Sequence, residues 1–199
     1  MLLLFFLSGA TALVYEVVWS KYLGLMFGST VHAQTVVLAT FMGGLALGNS
    51  LLGSRADRLA RPFRAYGLLE IGIGLFAFFF ETLYQLADSV FVMLGSRIPE
   101  QAFLLLLLKG AISLVLLLPP TICMGGTLPL LAGWLQKHVA EAGRQSVRFY
   151  AVNSLGAVCG AALGGLFLVQ FMGLVATLQL MGLVNVLVGL TAMVIWHRD

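Results

Sequence analysis

Long apolar runs separated by short charged segments form the dominant pattern along the chain. A helix needs about 20 apolar residues to cross the hydrocarbon core of a bilayer, and six runs approach or exceed that length. The pattern predicts membrane spans over residues 1–19, 33–52, 65–80, 101–120, 149–171 and 174–196. We therefore expect an all-α integral membrane protein, in which residues 1–199 form a single transmembrane domain without a soluble catalytic domain.

Two of these runs leave alternatives open. The first contains Ala10-Thr11-Ala12, which has the form of a signal-peptide cleavage site, but no Lys or Arg precedes the run, so we expect it to remain as a span. The fourth continues to residue 135, and Pro119 and Pro120 within it cannot continue a regular helix. Either a kinked helix extends to residue 135 or the chain bends back after Pro120, and we favour the kinked helix.

The basic residues between the runs predict how the chain is oriented. Those on one side of the six spans are Arg55, Arg58, Arg61, Arg64, Lys137, Arg144, Arg148 and Arg198. The segments on the opposite side contain only Lys21 and Arg97. Because cytoplasmic loops are enriched in Lys and Arg, we expect both termini to be cytoplasmic. A bacterial cytoplasmic membrane is the expected location.

Composition excludes several classes of protein. The chain of 199 residues is 60% hydrophobic and 10% charged, whereas an ordinary soluble domain is roughly 45–50% apolar and about 25% charged. A soluble enzyme and a nucleic-acid-binding protein are therefore excluded. The net charge of +3 comes from basic residues between the apolar runs, where they set the orientation of the spans. Cys123 and Cys159 are the only cysteines and lack metal-ligand spacing, so we expect no metal site and no cofactor.

Four ionisable residues fall within or at the ends of the predicted spans: Glu16, Glu70, Glu81 and Lys109. Such residues are rare, because an Arg, Lys or Asp at the centre of a span costs about 2.5–3.5 kcal/mol. The candidate ligand-binding residues are Glu16, Tyr15, Trp19, Glu70 and Lys109. In this interpretation the acids bind a cation or carry a proton, and the two aromatic rings add cation–π contacts.

The alternative is structural. Glu16 and Lys109 have matching predicted depths, so an ion pair between them would fix helix orientation, and Glu81 would lie at the outer interface. Asn49, Asn153, Asn185 and Gln179 would form hydrogen bonds between helices.

Glycines predict close packing of helices. Gly156, Gly160 and Gly164 recur every four residues along the fifth span, and this pattern allows another backbone to approach. We expect packing within the monomer, with homodimerisation as the alternative. Gly44 and Gly48 form a similar pattern in the second span, the equivalent place in a three-plus-three internal repeat.

Several short motifs resemble the membrane domain of spermidine synthase-like integral membrane proteins. In chain order they are LSGATALVYEVVW (7–19), FGST (27–30), FMGGLALG (41–48), LLEIGIG (68–74), PT (120–121), MGGTLP (124–129) and YAVNSLG (150–156). The resemblance implies a membrane module that is joined to a cytoplasmic aminopropyltransferase domain. That domain would bind decarboxylated S-adenosylmethionine through a Gly-rich loop and activate a polyamine amine with aspartates. None of that machinery is present in this chain, so no catalytic residues are carried over and enzymatic activity is left open.

A second, shorter motif is similar to the loop between the second and third helices of major facilitator transporters. It is GSRADRLAR (53–61), with Gly53, Asp57, Arg58 and Arg61 as the structural residues and Ala60 where that pattern has a second Gly. This resemblance implies half of a facilitator-like six-helix bundle.

The two resemblances lead to two functional expectations. The first is a non-catalytic membrane module that anchors an aminopropyltransferase, as a domain or subunit, or supplies polyamine to it. The alternative is a transporter of a cation or polyamine that acts as a homodimer, since major facilitators need two six-helix halves.

Overall fold

The computed structural model describes residues 1–28, 30–56, 59, 61–98, 102–138 and 142–195. In these residues the ordered elements are helical: α1 (Leu2–Phe27), α2 (Thr30–Ala56), α3 (Pro62–Phe78), α4 (Phe80–Gly95), α5 (Ala102–His138), α6 (Ala142–Leu163), a π-helical segment (Gly164–Leu168) and α7 (Val169–Ile195). The predicted boundaries Gln101 and Trp196, and Arg198 beyond them, lie outside the described residues.

Four helical stretches in the described part of the chain are long and apolar enough to cross a membrane, and the last of them contains a break at Gly173. They are Leu2–Phe27, Val31–Ala56, Ala102–Gly133 and Gly143–Ile195. The pair α3 and α4, which is bent by 61°, adds a fifth if it is counted as one broken span. The chain is therefore a multi-pass helical membrane protein, and its environment is a lipid bilayer.

Glycines bring the helices together in three pairs. The residues that face each other are Gly156–Phe6 and Gly160–Ala10 between α6 and α1, Gly44–Thr121 and Gly48–Ile122 between α2 and α5, and Gly67–Gly189 and Gly74–Gly182 between α3 and α7. The residue numbers rise together in the first two pairs, so those helices run parallel. They change in opposite directions in the third pair, so α3 and α7 run antiparallel.

The chain reverses direction at Gly173. Side chains of α1 contact α3 in rising order, from Ser8 against Glu70 to Trp19 against Phe80, so α1 and α3 are parallel. Since α6 is parallel to α1 and α7 is antiparallel to α3, α6 and α7 run in opposite directions. Gly173 lies between them with φ 78° and ψ 176°, a conformation that is essentially restricted to glycine.

Replacing Gly173 with alanine is expected to destabilise the protein by about 1–3 kcal/mol. A Cβ meets no neighbouring atom at this position, so the effect arises from backbone strain alone. Thermal unfolding in detergent measures it, with Gly72→Ala as the control, because Gly72 is helical and exposed with open space around it. Equal unfolding temperatures for the Gly173→Ala and Gly72→Ala variants would contradict a strained turn at Gly173.

The sequence pattern missed helix α4. The segment after the third predicted span was expected to be a loop, but Phe80–Gly95 is a helix that bends away from α3 by 61°. Its polar residues Glu81, Gln85 and Asp88 recur at helical spacing along one face, and only Phe80 is buried. A search for apolar runs does not detect an amphipathic helix of this kind.

Helix α5 continues through its three prolines. It extends from Ala102 to His138 with Pro119, Pro120 and Pro129 inside it, so the chain does not bend back after Pro120. Proline removes a backbone donor. The hydroxyl of Thr121 donates to the carbonyls of Leu117 at 2.9 Å and Leu118 at 3.0 Å. The carbonyls that lose a donor to Pro119 and Pro120 are those of Val115 and Leu116, so these two bonds add to the next turn of the helix rather than replace the missing ones.

Candidate functional site

A buried carboxyl group lies where α1, α3 and α7 meet. Glu70 of α3 is 0% exposed. Ser8 Oγ of α1 donates a hydrogen bond to Glu70 Oε1 at 2.6 Å, and Asn185 Nδ2 of α7 donates to Oε2 at 2.6 Å. The Tyr15 hydroxyl donates to Asn185 Oδ1 at 3.2 Å. Each carboxyl oxygen therefore has a neutral donor, and no cationic side chain pairs with Glu70 in the described part of the chain.

Aromatic rings surround this network. Tyr15 stacks on Trp19 with their ring centroids 5.6 Å apart, and both side chains are fully buried. Tyr66 lies one helical turn before Glu70 on α3 and is also buried. Its hydroxyl and the Trp19 indole N–H have no hydrogen-bond partner among the described residues. Polar atoms in this condition are unusual in a packed interior.

A cavity of about 940 Å³ opens beside the network. It is enclosed by the first half of α1, the second halves of α2 and α5, and the first half of α6. Most of its lining is apolar, and its polar residues include Ser8, Tyr15, Asn49, Asn153 and Asn185. Because Ser8 and Asn185 both line the cavity and contact Glu70, the carboxyl group lies directly behind the cavity wall.

The opposite end of the bundle is closed by aromatic packing. Trp19 stacks on Phe80 with their ring centroids 5.5 Å apart. Tyr22 packs edge-on against Phe80, at 5.4 Å between centroids, and its ring is tilted against that of Tyr84, at 4.9 Å. This aromatic cluster lies toward the C-terminal end of α1, whereas the cavity lies toward the N-terminal end. Tyr15 lines the cavity and stacks on Trp19, so the aromatic cluster begins where the cavity ends along α1.

The structure brings together three of the five predicted ligand-binding residues. Tyr15, Trp19 and Glu70 belong to one buried cluster, whereas Glu16 and Lys109 lie elsewhere. Glu16 is half-buried and makes no hydrogen bond or ion pair within the described residues. It does not line the cavity.

The expected ion pair between Glu16 and Lys109 does not form. Lys109 Nζ lies 3.4 Å from the carbonyl oxygen of Phe27 and is placed over the rings of Phe27 and Phe91, at 6.0 and 5.1 Å from their centroids. Helix α1 extends to Phe27 rather than ending near Trp19. Lys109 lies beside Phe27 at the end of α1. Glu16 is therefore about 16 Å away from it along the axis of α1, at 1.5 Å per residue.

The remaining predicted residues have structural surroundings. Gly53 lies near the end of α2 and faces Pro129, and Arg61 immediately precedes α3. Asp57 and Arg58 of the same motif lie outside the described residues. Gly156, Gly160 and Gly164 face Phe6, Ala10 and Val14 of α1, inside the monomer. Glu81 lies in the first turn of α4, where its Oε1 accepts a hydrogen bond from Gln85 at 2.7 Å.

The prediction that Asn185 forms hydrogen bonds between helices is confirmed, but sequence reasoning missed that its partner is Glu70, and it missed Ser8 altogether. A signal for Asn185 exists, because GLLEIGIG (67–74) and GLVNVLVG (182–189) share one pattern of glycines and aliphatic residues. Glu70 and Asn185 occupy the same position in these motifs, 115 residues apart, and contact each other. GLALG (44–48) and GAVCG (156–160) match in the same way.

Two further findings bear on identity. Within the residues that the structure describes, no group of three His, Cys, Asp or Glu side chains is arranged to hold a metal ion. Comparison with family models, curated proteins and solved structures finds no match to this chain.

Proposed function

We propose that this chain is a non-catalytic membrane module that holds a small organic cation of the polyamine class in its cavity. In this proposal it anchors an aminopropyltransferase domain or subunit, or supplies polyamine to it. The observation that carries the proposal is the placement of Glu70, whose two hydrogen-bond donors, Ser8 and Asn185, line the cavity. An acid in this position favours a cationic ligand over a neutral or anionic one.

Electrostatics support a cation at the cavity wall. An ammonium group that bonds to Ser8 would lie about 5 Å from the Glu70 carboxyl, since one hydrogen bond already separates Ser8 from the acid. Two unit charges at that distance attract by about 3 kcal/mol at an effective dielectric constant near 20. The apolar lining suits the methylene chain of a polyamine, and such mostly apolar sites with a few polar groups are typical of small-molecule binding.

The proposal places the open end of the cavity on the cytoplasmic side. The cavity lies toward the ends of the helices that carry Arg55, Arg61, Arg64, Arg144 and Arg148, and such loops are normally cytoplasmic. The reversal at Gly173 and the alternating helix directions support six spans with both termini in the cytoplasm. In a bacterial cytoplasmic membrane, a partner enzyme would meet the cavity opening directly.

Spermidine is expected to raise the unfolding temperature of the detergent-solubilised protein. A ligand at 100 times its dissociation constant stabilises a protein by about 2.7 kcal/mol. Glu70→Gln should abolish the response, because glutamine keeps the shape of the side chain but removes its charge. The matched control is Glu81→Gln, which removes an acid from α4 outside the cavity and should respond as the wild type does.

Two outcomes would count against this function. Absence of any spermidine response in the wild type would leave the cavity without its proposed ligand. An equal response in wild type and Glu70→Gln would place the cation away from the buried acid, and Glu16→Gln would then test the other acid of α1.

A second candidate is a transporter of the same cation, built as half of a major facilitator-like bundle and acting as a homodimer. The repeated motifs around Glu70 and Asn185 favour it, since α1 to α3 and α5 to α7 then form two repeats of opposite orientation. Inverted repeats with a site at their interface are common in secondary transporters. Proteoliposomes loaded with labelled spermidine test it, and no flux under any proton gradient would contradict it.

A further inference from the structure

Glu70 has surroundings that suit a proton. The polar side chains that face it are Ser8 and Tyr15 from α1, Tyr66 from its own helix and Asn185 from α7, and none of these is cationic. A fully buried carboxylate without a cation is costly in the hydrocarbon region of a membrane, whereas the neutral acid is tolerated far better. The enclosed carboxyl group therefore favours a bound proton while the cavity holds only water.

The hydrogen-bond partners accommodate both forms of the acid. A serine hydroxyl is a donor and an acceptor, so Ser8 can donate to the carboxylate or accept from the protonated acid. The amide of Asn185 donates to Oε2 in either form, and Tyr15 holds that amide from its other side. Proton transfer at Glu70 therefore needs rotation of a hydroxyl group rather than rearrangement of the helices.

We infer that Glu70 is a proton-binding site and that the cavity exchanges this proton for the organic cation. This inference rests on the proposed function and adds the ion that moves against the ligand. When the cation reaches Ser8 and Asn185, the O–H bond of Glu70 breaks, its electron pair stays on the carboxylate, and the proton passes by way of Ser8 to water in the cavity. One ammonium group arrives beside Glu70 as one proton leaves, so the net charge at the carboxyl group is unchanged, and the further ammonium groups of a polyamine add their own positive charge to the cavity.

The first experiment tests the proton without any ligand. Infrared spectra of the full chain in detergent at neutral pH should contain the C=O band of a protonated carboxylic acid. We expect Glu70→Gln to remove this band, whereas the control Glu81→Gln should keep it. If the wild type lacks the band, or Glu70→Gln retains it at full intensity, the proton-binding site is refuted whatever the cavity binds.

The second experiment tests the exchange. Spermidine is added to the full chain in weakly buffered solution that contains a pH indicator dye, and binding is followed by calorimetry in parallel. The wild type and Glu81→Gln should release about one proton per bound cation, as linkage between the two equilibria requires. Glu70→Gln should release none.

The outcomes separate this inference from the proposed function. Heat of binding without proton release in the wild type would overturn the exchange and leave cation binding intact. A Glu70-dependent carboxylic-acid band without any spermidine binding would support the proton site while refuting both polyamine binding and its exchange for the proton. Equal proton release in wild type and Glu70→Gln would assign the titrating group to another acid.

Discussion

Replacing Gly160 with valine is expected to destabilise the protein by about 2 kcal/mol or more. Added atoms at this position meet the backbone of Ala10 on α1 rather than a flexible side chain. Relief therefore requires the whole helix α6 to move away from α1, and overpacking that forces a backbone shift costs about 1–3 kcal/mol and occasionally more.

The measurement is unfolding of the purified protein in detergent, by heat or by added denaturing surfactant. Gly110→Val is the matched control, because Gly110 is helical and has no neighbouring atom near its Cβ position. It should change stability by no more than about 0.5 kcal/mol. If the two valine variants unfold alike, α1 and α6 are not in close backbone contact.

Replacing Asn185 with leucine is expected to cost about 2–4 kcal/mol. This change removes the donor to Glu70 Oε2 and the acceptor of the Tyr15 hydroxyl together. Each buried polar group that loses its partner costs about 1–3 kcal/mol. Asn49→Leu is the control, because Asn49 is exposed and has no hydrogen bond within the described residues.

A double-mutant cycle assigns the loss to the network. In a Glu70→Met background the carboxyl group is already absent, so Asn185→Leu should destabilise by clearly less than it does in the wild type. Contacting residues show such non-additive effects, whereas independent residues do not. Additive losses would show that Asn185 contributes to stability independently of Glu70.

The apolar pattern predicted the helical class and most of the long helices for a simple physical reason. A bilayer requires long uncharged helices, and no tertiary contact is needed to recognise them. The same rule misjudged the end of α1. Lys21 interrupts the apolar run there, but Tyr22, Leu23 and Met26 are buried in the core and extend the helix to Gly28. Gly28 ends it in a left-handed conformation with φ 68°.

The site was predicted only in part because its partners are distant along the chain. Glu70 was identified from its charge, since an acid within an apolar run is conspicuous in any sequence. Ser8 is 62 residues away from it and Asn185 is 115 residues away, and only the crossing of α1, α3 and α7 brings them into contact. The predicted pairing of Glu16 with Lys109 was wrong for a different reason. It depended on the depth of Glu16 in the membrane, and that depth was measured from a helix end that the sequence placed too early.

The pairing of helices through glycines determines when this protein can assemble. Each close crossing joins a helix of the first half to one of the second: α1 with α6, α2 with α5, and α3 with α7. Gly9 faces Asn153 in the folded protein. At usual rates of synthesis Asn153 is made roughly 7 to 30 seconds after Gly9. A nascent chain that stops midway therefore lacks one partner of every close glycine crossing.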